Sequence, residues 1–176
     1  MARKRLTREE SRAQTRERLL ETAEALFTKN GFEATSIEDV AETAGYSRGA
    51  FYSNFKSKDD LICAVLDVRS DRYAKEIENF FALNVSTAER LALLRAYYVQ
   101  VASDRNGCIF WMAMQLYAWR HENVRPKVLA MLRHDRNAMA DIVLRIFKDL
   151  GREPTAPPDS GINSCRWPGP ENWRAG

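Results

Sequence analysis

The sequence predicts an all-α protein, and three observations carry that expectation. No run alternates apolar and polar residues with the period of two that a half-buried strand requires. β-Branched residues are sparse. Apolar residues recur instead at helical spacing from Leu19 to Leu150, interrupted by short segments bearing glycine, serine or proline.

The elements follow in order. Thr7-Arg8-Glu9-Glu10 has the form of a capping box, in which hydroxyl and carboxylate satisfy free backbone donors at a helix start. Leu19, Leu20, Ala23, Leu26 and Phe27 then define one buried face, and Asn30-Gly31 stops the helix. Ser36 caps a short second helix with Ile37, Val40, Ala41 and Ala44 inward, broken at Gly45. Ser47 caps a third, from Arg48 to about Asn54, with Phe51 and Phe55 inward. Ser57-Lys58-Asp59-Asp60 opens a long fourth helix, its acids at the positive end of the dipole, whose apolar spacing lasts to about Leu83. Ser86 to Arg105, Cys108 to His121 and Asn123 to Leu150 read as the fifth, sixth and seventh helices, with Pro126 in a first turn where its missing N–H does no harm. These elements group as residues 1–57, a three-helix unit with a basic arm; residues 58–151, a helical ligand or dimerisation domain; and residues 152–176, a Pro/Gly-rich tail expected to be irregular.

Composition narrows the function classes. The net charge of +3 is too small to diagnose a nucleic-acid partner, and residues 1–60 hold 11 basic and 11 acidic side chains. Placement says more: the first 18 residues carry seven Lys and Arg against three Glu, and Thr43 to Lys58 carries Arg48, Lys56 and Lys58 with no acid. Such stretches can give one face a positive potential. The longest apolar candidate, Cys108 to Trp119, is interrupted by Gln115 and too short to span a bilayer, and the start lacks a signal-peptide core, so a cytoplasmic protein is expected. Three widely spaced cysteines suggest neither a disulfide framework nor a metal site, and His121 and His134 have no ligand-spaced partners. No nucleophile–base pair, paired carboxylates or glycine-rich phosphate loop appears, so neither an enzyme nor a cofactor is expected.

Two short helices joined by a glycine turn after a longer first helix make a helix-turn-helix, whose second short helix enters the major groove of DNA. With Phe51 and Phe55 inward, its exposed set is Ser47, Arg48, Gly49, Ala50, Tyr52, Ser53 and Asn54. Small residues at 49 and 50 permit close approach, Arg48 suits guanine, and the Ala50 methyl suits thymine. Residues 19 to 61, LLETAEALFTKNGFEATSIEDVAETAGYSRGAFYSNFKSKDDL, closely resemble the DNA-binding domain of TetR/AcrR-family regulators, most specifically from Gly45 to Leu61. The resemblance implies phosphate contacts from Thr35, Ser36, Tyr52 and Lys58, base reading by Arg48, Gly49 and Ala50, and a weaker match at Asn54, where the family often has histidine. The arm Arg3-Lys4-Arg5 is a candidate for the minor groove, or simply a basic tail.

The resemblance further implies a homodimeric repressor of double-stranded operator DNA, released by a small apolar or amphipathic effector. Tyr98, Cys108, Trp111, Met112, Gln115 and Trp119 would line an effector pocket if helices five and six pack together; the same residues equally suit a plain helical core. The family's last two helices, which form its dimer interface, should begin near Pro158, but residues 160–176 read SGINSCRWPGPENWRAG with no amphipathic face. Loss of the original reading frame near residue 159 would give this composition, leaving a truncated interaction protein that pairs with related regulators or fails to dimerise. Sequencing the encoding locus is expected to show helix-coding sequence in another frame; an uninterrupted frame without it would refute the idea.

Overall fold

In a computed structural model, which describes residues 7–154, the chain forms seven helices. They are α1 (Arg8–Asn30), α2 (Ile37–Ala44), α3 (Arg48–Tyr52), α4 (Lys58–Ala82), α5 (Thr87–Ser103), α6 (Arg105–Arg120) and α7 (Arg125–Asp149), with no strand among the described residues. The fold is all-α, as the periodicity predicts. The basic arm at residues 3–5 and the tail from residue 155 lie outside the described residues.

Capping explains most of the helix boundaries. Thr7 Oγ1 accepts from the Glu10 backbone N–H while the Glu10 carboxylate accepts from the Thr7 N–H, so the expected capping box is formed. A second box, Ser36 with Asp39, starts α2. At the other end of α2, Gly45 has φ +81° and ψ 26°, the left-handed region that glycine enters without cost. Its N–H and that of Tyr46 return to the carbonyls of Glu42 and Ala41, the paired bonds of a Schellman stop. Gly151 ends α7 in the same way, with φ +64° and bonds from its own N–H and that of Arg152 to Lys148 and Phe147.

Helix α6 begins earlier than the sequence suggests. The sequence puts its start at Cys108, but Asp104 accepts from the Asn106 N–H and caps a helix starting at Arg105. A Cβ at Gly107 would lie 2.5 Å from Asp104 Oδ2, so this glycine leaves room for the cap rather than ending a helix. Helix α3 is also shorter than expected, ending at Tyr52, although the Asn54 and Phe55 N–H groups still reach the Phe51 carbonyl.

The helices form two compact units. One comprises residues up to Arg69 together with Ala102–Arg125; the other comprises Ser70–Val101 and the residues from Pro126 onward. This division differs from a boundary at residue 57. The cause is packing: the first turns of α4 bury Leu61, Ile62, Val65 and Leu66, and α6 packs on α1 in the same unit. In that unit the loop residue Phe32 stacks on Phe27 of α1 at 4.6 Å between centroids and meets Phe110 and Tyr117 of α6 at 5.1 and 5.6 Å. The second unit is built on Ile77, Leu94 and Ile142, with Tyr73, Phe80, Phe81, Tyr97, Tyr98, Met139 and Ile146 around them.

Phe27 is fully buried in the centre of the first unit. Phe27→Ala is expected to lower the free energy of unfolding by about 3–5 kcal/mol in urea titrations, and a loss under about 1 kcal/mol would contradict this assignment.

Candidate nucleic-acid interface

The second and third helices present the sequence-assigned residues unevenly. Ser47 caps α3, its hydroxyl accepting from the Ala50 N–H at 3.2 Å. Phe51 and Phe55 are buried, which turns Arg48, Gly49, Tyr52 and Ser53 outward and leaves Ala50 half-buried. A Cβ at Gly49 would meet only Ser47 Oγ, at 3.7 Å, so nothing inside the fold demands glycine there. Arg48 extends across to α2, with Nη1 3.0 Å from Glu38 Oε1, and its guanidinium carbon lies 5.6 Å from the Tyr52 ring centroid. The Ser53 hydroxyl donates to the Gly49 carbonyl.

Three assigned residues have structural work to do. Thr35 is buried, and its hydroxyl donates to the Gly31 carbonyl at 2.8 Å, so its side chain anchors the loop before α2 instead of facing outward. Ser36 is occupied with its cap, bonding both the Asp39 N–H and the Asp39 carboxylate. Asn54 donates to the Ala50 carbonyl at 2.9 Å and is only partly exposed. Lys58, at the first position of α4, donates to the Glu33 carbonyl at 3.3 Å and lies 5.6 Å from the Tyr117 ring. Burial lowers its ammonium below the ordinary lysine value, an effect opposed by Glu33, Asp59 and Asp39.

Two cations beside this face went unassigned in the sequence. Arg12 donates to the Ser53 carbonyl at 2.8 Å, and Arg16 donates to the Asn54 carbonyl at 3.4 Å with its guanidinium 4.4 Å over the Phe55 ring. Their i, i+4 spacing on α1 was visible; their meeting with the end of α3 was not. Both hold the carbonyl end of α3, where cations oppose the negative pole of a helix.

The chain resembles known proteins in this region. Residues 19–65 match the family model described as "Bacterial regulatory proteins, tetR family". Residues 19–65 thus carry a tetR-family DNA-binding domain. The chain is 44% identical over 104 residues to the probable HTH-type transcriptional regulator ArpR of Pseudomonas putida, a match spanning 57% of this chain and 49% of ArpR. This chain therefore spans about half the length of that relative. Its fold is shared with a TetR-family regulator from Mesorhizobium loti, at 20% identity and TM-score 0.72, covering 88% of this chain and 76% of that one. A structure described as a SmeT–triclosan complex is 26% identical, with TM-score 0.62, covering 83% of this chain and 72% of that one.

The six residues expected to line an effector pocket do not fall in one unit. Tyr98 belongs to the second, where its hydroxyl lies 3.0 Å from that of Tyr73 and 3.5 Å from Met139 Sδ. Cys108, Trp111, Met112, Gln115 and Trp119 are on α6, in the first. Gln115 is buried, Trp111 half-buried, and Cys108, Met112 and Trp119 exposed, Met112 by 70%. The unassigned neighbours of Tyr98 are Tyr73 and Tyr97, whose phenols are raised above the ordinary tyrosine value chiefly by burial. Asp135, also raised by burial, lies close enough to act on Tyr73.

Asp39 supplies a pH test of the cap that orients α2. Hydrogen bonds from the Ser36 side chain and then its backbone hold the carboxyl below its ordinary value of 3.8. A lowered carboxylate stabilises the fold above its unfolded value, and that contribution disappears as pH falls through the folded one. Asp39→Asn should therefore lower the melting midpoint at neutral pH and have no effect in acid below both values; an equal drop at both pH values would contradict the charged cap.

Proposed function

We propose that this chain is a TetR-family transcriptional repressor that holds operator DNA through α3 and is released by a small apolar or amphipathic effector. The observation that carries the reading is the outer face of α3: an exposed arginine and tyrosine flank Gly49 and Ala50, and a Cβ at Gly49 would make only an ordinary contact with Ser47 Oγ. A glycine inside a helix costs stability, so one that the fold does not need is best explained by a partner that must come close. Arg48, Gly49 and Ala50 then face base edges, and Ser47, Tyr52, Ser53 and Lys58 face phosphates. Ser36 and Asn54 contribute through the ends of the helices that they fix. Thr35 acts only by anchoring the loop.

Repression by a homodimer fits the geometry of palindromic sites, where two recognition helices lie about one helical turn apart, ~34 Å. SmeT, with its triclosan complex, illustrates an apolar ligand on a protein of similar fold. Here Tyr98 and Tyr73 offer an aromatic, weakly polar setting for such a molecule. No helix among the described residues is long and apolar enough to cross a membrane. A cytoplasmic site of action accords with a DNA partner.

Selection of duplexes from a random pool, followed by titration with the full chain, tests the reading. Arg48→Ala should weaken binding to the selected duplex by about 1–3 kcal/mol and relax the preference at one base position. Lys58→Ala should weaken binding to all duplexes alike and reduce the salt slope by about 1. Gly49→Ala should separate fold from function, raising thermal stability by roughly 0.5–1 kcal/mol while weakening the selected duplex. Enrichment of no duplex would overturn the DNA-binding reading, and a dimeric preparation insensitive to every small molecule tried would overturn effector release.

A further inference from the structure

An acid beside the recognition helix is an anomaly for a surface meant to meet phosphate. Glu38, in the first turn of α2, is exposed and takes no part in the Ser36–Asp39 capping box. It lies 3.0 Å from Arg48, whose other terminal nitrogen lies 3.5 Å from the Tyr52 hydroxyl. The side chains of Arg48 and Glu38 are 65% and 54% exposed, so the pair contributes little to stability. Its effect is on direction. Each terminal guanidinium nitrogen carries two hydrogens, and engaging one on each leaves the second of each free for a bidentate contact.

We infer that Glu38 is a specificity-determining positioning residue, which aims Arg48 at base edges and penalises contact with DNA that offers Arg48 no base to read. The inference rests on the proposed DNA-binding function. On a cognate site, the oriented guanidinium gains a bidentate base contact that outweighs repulsion between Glu38 and the phosphates. On other duplexes no such contact forms, and the repulsion remains. An unanchored Arg48 would swing to the nearest phosphate, which carries no sequence information.

The test compares the full chain with Glu38→Gln and Glu42→Gln. Glu42 is an exposed acid later on the same helix that is not paired with Arg48, so it removes equal charge without touching the arginine. Affinities are measured across a salt series for a duplex selected by the unaltered chain and for its scrambled counterpart. Glu38→Gln should tighten the scrambled duplex about threefold and leave the selected one unchanged or weaker, so that discrimination falls about threefold or more. Reselection with this variant should relax the base preference that Arg48→Ala relaxes. Glu42→Gln should shift both duplexes together and preserve their ratio. If Glu38→Gln also shifts both equally, or shifts neither, the positioning role is overturned while the DNA-binding reading stands. If the unaltered chain selects no duplex, that reading fails and takes this inference with it.

Discussion

Helices α2 and α3 have eight and five residues, far below the dozen or more that an isolated helix needs to persist in water. Their order is borrowed. Each is held at its N-terminus by a serine cap and on its inner side by burial, through Val40 and Ala41 of α2 and through Phe51 of α3 with Phe55 just after it. The body against which they pack is α1, which packs on α6, with the ring of Phe32 set against Phe27 and Phe110. Everything on the outward face of α3 depends on that support. A five-residue helix can hold its outward side chains in place because the 23 residues of α1, and α2 beside it, pack against it.

The charge on this face is arranged by position more than by quantity. The first 60 residues are electrically balanced, but cations gather around α3: Arg48 at its start, Arg12 and Arg16 at its end, Lys58 opening the next helix. Each is tied to something. Arg12 and Arg16 serve carbonyls, Lys58 serves the Glu33 carbonyl, and Arg48 pairs with Glu38. These ties cost little to exchange, because exposed ion pairs and hydrogen bonds compete with water at near parity. The surface is thus ordered in advance and remains available to an anionic partner.

Much of this was legible in the sequence because it is local. Thr7, Ser36 and Ser47 cap where their positions before apolar runs predict, and Gly45 and Gly151 end helices where the pattern fails. The outward set on α3 follows from knowing that Phe51 and Phe55 must be buried. What the sequence hid depends on long-range contact. Thr35 looks like any exposed hydroxyl before a helix until Gly31 presents its carbonyl. The placement of α6 with α1, and of Tyr98 with Tyr73 and Met139, joins segments distant in the chain, for which periodicity offers no signal.

Gly49 carries a consequence for how such a protein can change over generations. Its backbone conformation is one that any L-residue adopts, and a side chain there would meet almost nothing of the protein itself. Mutation at this codon is therefore shielded from the usual penalty of misfolding. After a gene duplication, one copy can try new side chains in the first turn of its proposed recognition helix while both copies keep folding normally. Selection then acts on target choice alone, and two daughters can become insulated from each other's sites by a single step. An empty position on a rigid scaffold is, in this sense, a reserve of evolutionary freedom.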